Sequence, residues 1–326
     1  MGAPKVDRTL ELGRYGPELD CTCTLTEAQA WCMRLARGHG ENFSVLSGFV
    51  PSALRDDFAA VYAYCRCADD LGDECGSPER ASALLAWWRR GTEAMGSGRS
   101  FHPVFTALAP VVARHGMPLK PFLDLLAAFE MDQHVTRYAT WDELLGYCRL
   151  SADPVGRLVL MLLDEPRDEA ALAASDAICT GLQLVNHWQD VRRDLLERGR
   201  IYLPQESWQG EIFDERLSWT CHRGFAPDRD FLEEYRATIR SLAERTWPLF
   251  AAGGELLERL HPKHRPLVWL FREGGMHTLR LIESWNYETC LARPTLTSFT
   301  KIRLLLQARW STVRAIRSAR REARAA

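Results

Sequence analysis

Oxygen-bearing side chains recur every four residues in one stretch of the chain. Asn186, Asp190 and Asp194 follow one another at this spacing, and Gln183 precedes them. On an α-helix, each four-residue step turns about 40° net and climbs about 6 Å, so the four side chains form one row. Mg²⁺ is held in proteins by one or two carboxylates together with substrate phosphates. The row therefore has the chemistry of half a magnesium–phosphate site.

The same spacing is also typical of an amphipathic helix whose polar face is simply solvated. An apolar stripe occupies the opposite side of the predicted helix: Leu184, Trp188, Val191 and Leu195. However, two like charges at i and i+4 are mildly destabilising, so their placement needs a reason. The row alone leaves both interpretations open.

A second row ends the helix predicted at 52–72. Asp69 and Asp73 repeat the four-residue step, although acids at a helix C-terminus oppose the helix dipole. An arginine and two aromatic residues precede them on the same face: Phe58, Tyr62 and Arg66. Asp70 and Glu74 turn away by about 100° and are either supports of the row or solvated side chains. Two facing rows would form a cluster of four acids, which cations and a diphosphate would convert into a binding site.

The remaining sequence is organised as one helix after another. Apolar residues recur at helical spacing between glycine and proline breaks, whereas no strand pattern and no glycine-rich phosphate loop occurs. Besides a helix after Pro78 that carries Trp87 and Trp88, we predict helices at about 26–37, 52–72, 101–114, 118–130, 141–163, 168–197, 228–251, 254–260, 264–291 and 297–322. The segment 199–225 is the least regular. Thr26 and Gln29 suggest a capping box for the first helix.

This pattern predicts an all-α protein. No linker divides the chain, so we expect an irregular segment at 1–24, one helical domain at 25–295 and a basic helix or tail at 296–326. The length of 326 residues, with 46% hydrophobic and 26% charged residues, is typical of a globular protein. The net charge of -2 argues against nucleic acid as a partner.

The cysteine spacing and the hydropathy indicate the cellular compartment of the protein. The ten cysteines form no CxxC pair, so reduced thiols in a cytoplasmic protein are expected. The first twenty residues are polar, and no run of about 18 apolar residues occurs, so neither a secretory signal nor a spanning helix is predicted. The sequence indicates no oligomeric state.

The two acidic motifs together resemble those of the squalene/phytoene synthase family of isoprenoid synthases. The matching stretches are Tyr62–Asp73 and Gln183–Asp194, the second continuing into Gly199–Pro204. The resemblance covers roughly residues 25–290. It implies an all-helical bundle around a central cavity, with the two motifs on facing helices.

Within this family, the chain is most similar to the bacterial hydroxysqualene synthases of hopanoid biosynthesis. The residues that carry this similarity are 39–43, 129–133, 147–149, 153–157 and 188–190. The chain departs from many relatives at Gln189, where they have arginine. It also has Gly40 and Asn42 where some relatives have serines near the diphosphate.

The resemblance implies a Mg²⁺-dependent conversion of presqualene diphosphate and water to hydroxysqualene and diphosphate. The implied metal ligands are Asp69, Asp73, Asn186, Asp190 and Asp194. The implied diphosphate contacts are Asn42, Arg66, Gln183, Asn186, Arg200 and Tyr202. The four aspartates, Tyr62 and Tyr147 are the implied catalytic residues. Asn42, Tyr147 and Asp153 are alternative candidates to position the water, and His187 is either a base or a structural residue.

The sequence also allows two other functions. The first is a synthase of the same family that joins two prenyl diphosphates, such as farnesyl diphosphate, into squalene, presqualene diphosphate or phytoene. The second is a non-catalytic homologue that binds prenyl diphosphates, although the intact acids of both motifs argue against it.

The C-terminal end is strongly basic. Residues 301–324 carry eight basic side chains and one acid, Glu322. They form either a final packed helix with a basic tail or a peripheral attachment to the anionic inner face of a membrane.

Overall fold

The fold is all-α, as the sequence predicts. The computed structural model describes residues 5–39, 48–97, 100–208, 212–226 and 228–310. Most of these described residues are helical, and none of them lies in a strand. The chain forms two compact units, the first comprising 1–134 with 154–167 and the second 135–153 with 168–326.

Two short helices open the first unit, in the segment that we expected to be irregular. They are α1 (Lys5–Thr9) and α2 (Leu12–Tyr15). Val6, Leu10 and Tyr15 bury their side chains in the core of this unit. Because each helix is only one or two turns long, no helical periodicity could develop in the sequence.

The first unit is built around one central helix. Its longer helices are α3 (Leu25–His39), α4 (Arg55–Asp73), α5 (Pro78–Glu93), α6 (Pro103–His115) and α7 (Lys120–Met131). Helix α4 packs against α3, α5, α6 and α7. Small residues on its inner side permit these close contacts: Ala59, Ala60, Ala63, Cys67 and Ala68.

The capping box of α3 lies two residues before the predicted one. The main-chain N–H of Thr24 donates to Glu27 Oε2 at 2.8 Å, and the N–H of Glu27 donates to Thr24 Oγ1 at 3.3 Å. Both sequence pairs have the three-residue spacing of a capping box, and the structure selects the earlier one.

The second unit contains the two longest helices of the chain. Its helices are α8 (Trp141–Ser151), α10 (Glu169–Arg198), α11 (Phe213–Arg223), α12 (Arg229–Arg259), α13 (Arg265–Ser284) and α14 (298–310). Helix α10 packs against α8, α11, α12 and α13. Helix α9 (Asp153–Leu162) places Asp153 in this unit and its remaining residues in the first.

Two predicted helix boundaries differ from the structure for physical reasons. The helix expected at 141–163 breaks at Ala152, and a new helix begins at Asp153 with Pro154 in its first turn, where proline is tolerated. The helices expected at 228–251 and 254–260 are one helix, α12. Its Gly253 is a packing residue, since a Cβ there would lie 2.3 Å from Ile178 Cγ1.

The irregular segment predicted at 199–225 is likewise only partly irregular. It contains α11, whose buried residues Phe213, Leu217 and Cys221 recur every four residues along one side. Gly224 ends this helix in the left-handed conformation.

All ten cysteines are free thiols. Among the residues that the structure describes, no helix combines the length and the hydropathy needed to cross a bilayer.

Candidate active site

The first acidic row lies on the side of α4 that the core of its unit leaves uncovered. The residues predicted to share this face are all partly exposed: Phe58, Tyr62, Arg66, Asp69 and Asp73. The opposite side is buried against neighbouring helices. Helix α4 therefore presents two carboxylates, an arginine and two aromatic rings on one accessible face.

Two carboxylates of its own helix hold Arg66. Its Nη1 lies 3.1 Å from Asp69 Oδ2, and its Nη2 contacts Asp70 Oδ1. Asp70 is 0% exposed, so it supports the row from within the protein and is not a solvated side chain. Burial lowers the pKa of Arg66, but the carboxylates of Asp69 and Asp70 outweigh burial and leave it raised. The guanidinium is thus a fixed positive charge beside the first row.

Tyr62 lies one helical turn before Arg66 and is partly buried. Burial raises the pKa of Tyr62, which keeps its phenol protonated at neutral pH. A neutral ring with a hydroxyl donor is suited to line a cavity that holds a cation.

The second acidic row lies on α10, and its members differ in exposure. Asp190 and Asp194 are buried, Gln183 is partly exposed and Asn186 is exposed. The apolar stripe of the same helix is buried, as predicted. Its Trp188 donates its indole N–H to Thr246 Oγ1 of α12 at 3.0 Å. The stripe therefore anchors α10 and fixes the direction in which the acids point.

Arginines compensate the two buried acids. Arg193 bridges them, with its Nη2 2.8 Å from Asp190 Oδ2 and 3.1 Å from Asp194 Oδ1. Arg198 lies 3.3 Å from Asp194 Oδ1. Burial raises the pKa of Asp194, although Arg193 opposes this effect. The arginines thus supply positive charge that buried carboxylates require.

One further arginine reaches the second row from a distant segment that sequence reasoning did not identify. Arg293 contacts Asp190 Oδ1 through Nε and lies 3.3 Å from Asp190 Oδ2 through Nη2. The neighbouring Gln189 donates its Nε2–H to the carbonyl of Pro294 at 2.5 Å. Gln189 therefore ties the segment around Arg293 to α10. No periodicity in the sequence points to Arg293, which follows α13 in irregular structure.

Arg200 and Tyr202 directly follow α10. Gly199 ends the helix in the left-handed conformation, and the N–H of Arg200 donates to the carbonyl of Asp194 at 3.1 Å. Ile201 donates in turn to the carbonyl of Thr136 at 3.0 Å. These bonds turn the chain back beside the acidic row, and both Arg200 and Tyr202 are buried.

Four buried rings form a cluster in this unit. Tyr147 and Tyr202 lie 5.6 Å apart between ring centroids, and Tyr138 lies 5.6 Å from Tyr147 and 5.9 Å from Tyr202. His187 stacks on Tyr202 at 3.9 Å with an interplanar angle of 17°. The structure thus brings two predicted site residues, Tyr147 and Tyr202, together with His187, for which the sequence left a base or a structural role open.

His187 is an unusual member of this cluster. Its Nε2 is buried and has no hydrogen-bond partner among the residues that the structure describes. Burial, and then the charge of Arg193, lower the pKa of His187 to about 3. The imidazole is therefore neutral over the physiological range.

Of the candidates to position water, the structure describes Asp153 but not Asn42. Asp153 is buried and accepts a hydrogen bond from Thr180 Oγ1 at 2.7 Å, which ties α9 to α10. Asn42 lies outside the described residues, as does Gly40. The pairing of the α4 row with the α10 row joins residues of different units, and it stays a prediction.

Residues 36–303 match the family model of squalene/phytoene synthase. The chain belongs to the squalene/phytoene synthase family. The matched region contains both acidic rows, the ring cluster and Arg293. The chain is an enzyme of this family, whose members bind prenyl diphosphates.

Curated relatives carry more specific names. The hydroxysqualene synthase of Sinorhizobium fredii is 34% identical over 223 residues, covering 68% of this chain and 71% of that protein. The hydroxysqualene synthase of Rhodopseudomonas palustris is 40% identical over 167 residues, covering 51% of this chain and 56% of that protein. The 15-cis-phytoene synthase of Synechococcus elongatus is 27% identical over 303 residues, with 86% and 91% covered.

Solved structures share the fold of this family member. The squalene synthase HpnC of Alicyclobacillus acidocaldarius has a TM-score of 0.70 at 38% identity, covering 81% of this chain and 95% of that chain. A dehydrosqualene synthase in complex with ligand has a TM-score of 0.73 at 24% identity, with 87% and 96% covered. The second comparison concerns the fold alone.

The donor chemistry of each row fits a magnesium ion. Among the residues that the structure describes, no group of three or more His, Cys, Asp or Glu side chains is arranged to hold a metal ion. Each row instead supplies two carboxylates, and the second adds the amide of Asn186. Mg²⁺ takes one or two carboxylates and completes its shell with water and phosphate oxygens, so a family member that binds a diphosphate needs no complete protein cage.

Proposed function

We propose that the chain converts presqualene diphosphate and water to hydroxysqualene and diphosphate in a Mg²⁺-dependent reaction. The observation that carries this proposal is the second row, with Asp190 and Asp194 buried beside Arg193 and Arg293. Buried acids flanked by arginines suit a ligand that brings both negative oxygens and cations. The similarity to two hydroxysqualene synthases supports the choice among the reactions of the family.

In this proposal both acidic rows contribute side chains to the binding of the diphosphate. The metal would be held by Asp69, Asp73, Asn186, Asp190 and Asp194. When bound, it supplies Lewis-acid stabilisation of the charge on the leaving diphosphate. The side chains that contact the diphosphate are Asn42, Arg66, Gln183, Asn186, Arg200 and Tyr202. Arginine suits this role because its planar guanidinium makes paired bonds to phosphate oxygens.

The tyrosines have a different task in this proposal. Departure of the diphosphate leaves a carbocation, which must be shielded from premature capture by water. Tyr147 is buried, and Tyr62 is partly buried, so their faces can line an enclosed apolar space. The face of an aromatic ring carries partial negative charge and attracts a cation.

Product analysis tests the proposed reaction. The purified chain is incubated with presqualene diphosphate and Mg²⁺, with and without NADPH, and the extracted products are identified by mass spectrometry. We expect hydroxysqualene without NADPH. Squalene formed only with NADPH would instead support the alternative suggested by the similar squalene synthase structure. In a separate incubation with geranylgeranyl diphosphate, formation of phytoene would instead support a phytoene synthase like the relative from Synechococcus elongatus.

Substitution of one acid in each row tests the site. Asp69→Asn and Asp190→Asn should each lower turnover by at least about a hundredfold, because each removes a carboxylate that would hold the metal ion, and the metal ion stabilises the leaving group. Asp57→Asn is the matched control, since Asp57 is a buried acid on α4 paired with Arg114 at 3.2 Å and His115 at 2.9 Å. Turnover that survives in both row variants contradicts the proposed site.

We also propose that α14 attaches the enzyme to an anionic membrane surface. Four large apolar residues on one side of this helix are exposed: Phe299, Ile302, Leu306 and Trp310. Leu304 and Ala308 are buried on the other side. Basic residues, beginning at Lys301, continue along the sequence to Arg324. An exposed apolar stripe beside positive charge suits the interface of an anionic bilayer, where the oily substrate and product would also reside.

Vesicle sedimentation tests this attachment. Ile302→Ser should weaken binding to vesicles that contain phosphatidylglycerol, because it removes part of the apolar stripe. Ile212→Ser is the matched control, since Ile212 and Ile302 are both 55% exposed but lie on different segments. Equal binding by the two variants and the unmodified chain would argue that α14 does not contact the membrane.

A further inference from the structure

His187 has a polar atom that the rest of the proposed site does not use. The side chain is 5% exposed and stacks on Tyr202, with Tyr147 at 6.0 Å between ring centroids. A phenylalanine would fill this position and make the same stacking contact. Burying a ring nitrogen without a hydrogen bond is unfavourable, and such a group in a native structure calls for a physical explanation.

The position of His187 on α10 connects it to the acidic row. Asp190 follows three residues later, so the two side chains leave the helix within about 60° of each other. Asn186 immediately precedes it. The cluster around His187 also contains Tyr147 and Tyr202, a candidate wall residue and a candidate diphosphate contact. The nitrogen therefore lies among groups that would surround the carbocation.

We propose that Nε2 of His187 holds the water molecule that ends the reaction. This inference rests on the proposed hydroxysqualene synthesis. When Nε2 accepts a hydrogen bond from one O–H of the water, the lone pairs of the water oxygen stay free to attack the carbocation. The stacked ring of Tyr202 keeps the imidazole from rotating, so the water is held in one place. The ring of Tyr147, 6.0 Å away between centroids, limits the space on this side of the imidazole.

The chemical step is balanced by the products of the ionisation itself. The water oxygen forms one C–O bond to the carbocation, which accepts the electron pair. The water then loses one proton to the diphosphate anion, which the preceding C–O cleavage has released. His187 returns unchanged, and no oxidant or reductant is consumed.

Two substitutions separate the hydrogen bond from the packing. His187→Phe keeps a stacked ring and removes the acceptor, whereas His187→Gln keeps an acceptor oxygen. The full-length variants are given presqualene diphosphate and Mg²⁺, and the diphosphate released and the hydroxysqualene formed are measured separately. The ratio of alcohol to diphosphate reports capture by water independently of the rate of ionisation.

We expect His187→Phe to lower this ratio about tenfold, as the loss of one positioning hydrogen bond implies, with elimination products replacing the alcohol. Diphosphate release should stay within about twofold, and His187→Gln should recover most of the ratio. His277→Phe, a histidine of α13 outside the cluster, is the control and should leave the ratio unchanged.

The other outcomes overturn the inference in distinguishable ways. If His187→Phe forms alcohol in the normal ratio, His187 does not hold the water, although the proposed function stands. If His187→Phe and His187→Gln lose diphosphate release and alcohol together, the residue is structural. If the unmodified chain forms no hydroxysqualene, the proposed function and this inference both fail.

Discussion

The bond between Gln189 and Pro294 is a sensitive test of how the second acidic row is organised. Gln189 is buried and donates its Nε2–H to the Pro294 carbonyl at 2.5 Å, and its Oε1 lies 3.4 Å from Arg293 Nη2. In the Gln189→Leu variant the volume is nearly kept, but the carbonyl loses its donor. We expect the segment around Arg293 to loosen and its contact with Asp190 to weaken.

The expected size of the effect follows from these contacts. Leaving a buried carbonyl unpaired costs about 1–3 kcal/mol, which corresponds to a decrease of roughly 2–10 °C in Tm. Because Arg293 is 45% exposed, its ion pair with Asp190 is partly screened and adds little to this figure. Amide hydrogen exchange in residues 291–296 should accelerate by about 5- to 150-fold, since a local opening becomes easier by the same free energy.

Hydrogen exchange read by mass spectrometry locates the change. Gln133→Leu is the matched control, because Gln133 also donates its Nε2–H to main-chain carbonyls, those of Gly72 and Phe129 at 3.1 and 2.9 Å. Both variants should lose stability, but only Gln189→Leu should expose 291–296. If both variants leave the exchange of 291–296 unchanged, Gln189 does not anchor the segment that carries Arg293.

Three further predictions concern stability. His102 is fully buried and neutral, accepting from Val104 N–H, and burial lowers its pKa to about 4. The unfolded chain therefore binds more protons than the folded chain below pH 6.5, and the free energy of unfolding should fall by up to about 3 kcal/mol between pH 6.5 and 4. Urea titrations measure this loss, which should be absent in His102→Asn. Gly275→Ala should destabilise by about 1–3 kcal/mol in urea titrations, because its Cβ would lie 2.6 Å from Phe250 Cζ; an unchanged midpoint would mean that the ring moves freely. Trp188→Phe should lower Tm by a few degrees through loss of its indole bond to α12, and an unchanged Tm would contradict the role of that bond.

Local geometry explains the parts of the site that were predictable. The spacing of Asp69 from Asp73, and of Asp190 from Asp194, needs only the pitch of a helix to place each pair on one face. The helices predicted at 52–72 and 168–197 correspond to α4 and α10 within a few residues. Arg193 and Arg198 also lie three and four residues after the acids that they contact, so the sequence already contained the signal for these ion pairs.

Contacts between distant segments explain what was missed. Arg293 lies 103 residues from Asp190, and no local pattern records that the chain returns to α10 after α13. The ring cluster similarly joins residues before α8, on α8, on α10 and after α10. The role of Gly253 depends on Ile178 of a neighbouring helix. The local sequence showed only a glycine, which suggested a break at a point where α12 is continuous.

The sequence by itself determined the all-α fold, the family, and which side chains share a helix face, because these properties depend on local spacing and on motifs. The tertiary structure decided which of these side chains are buried and which neighbouring groups they contact. Asp70 became a support for Arg66, Asp190 gained an ion pair with Arg293, and His187 packed against Tyr147 and Tyr202. These outcomes depend on packing between helices far apart in the chain, where the free energy of a charged or polar group is set by whatever segment comes to lie against it.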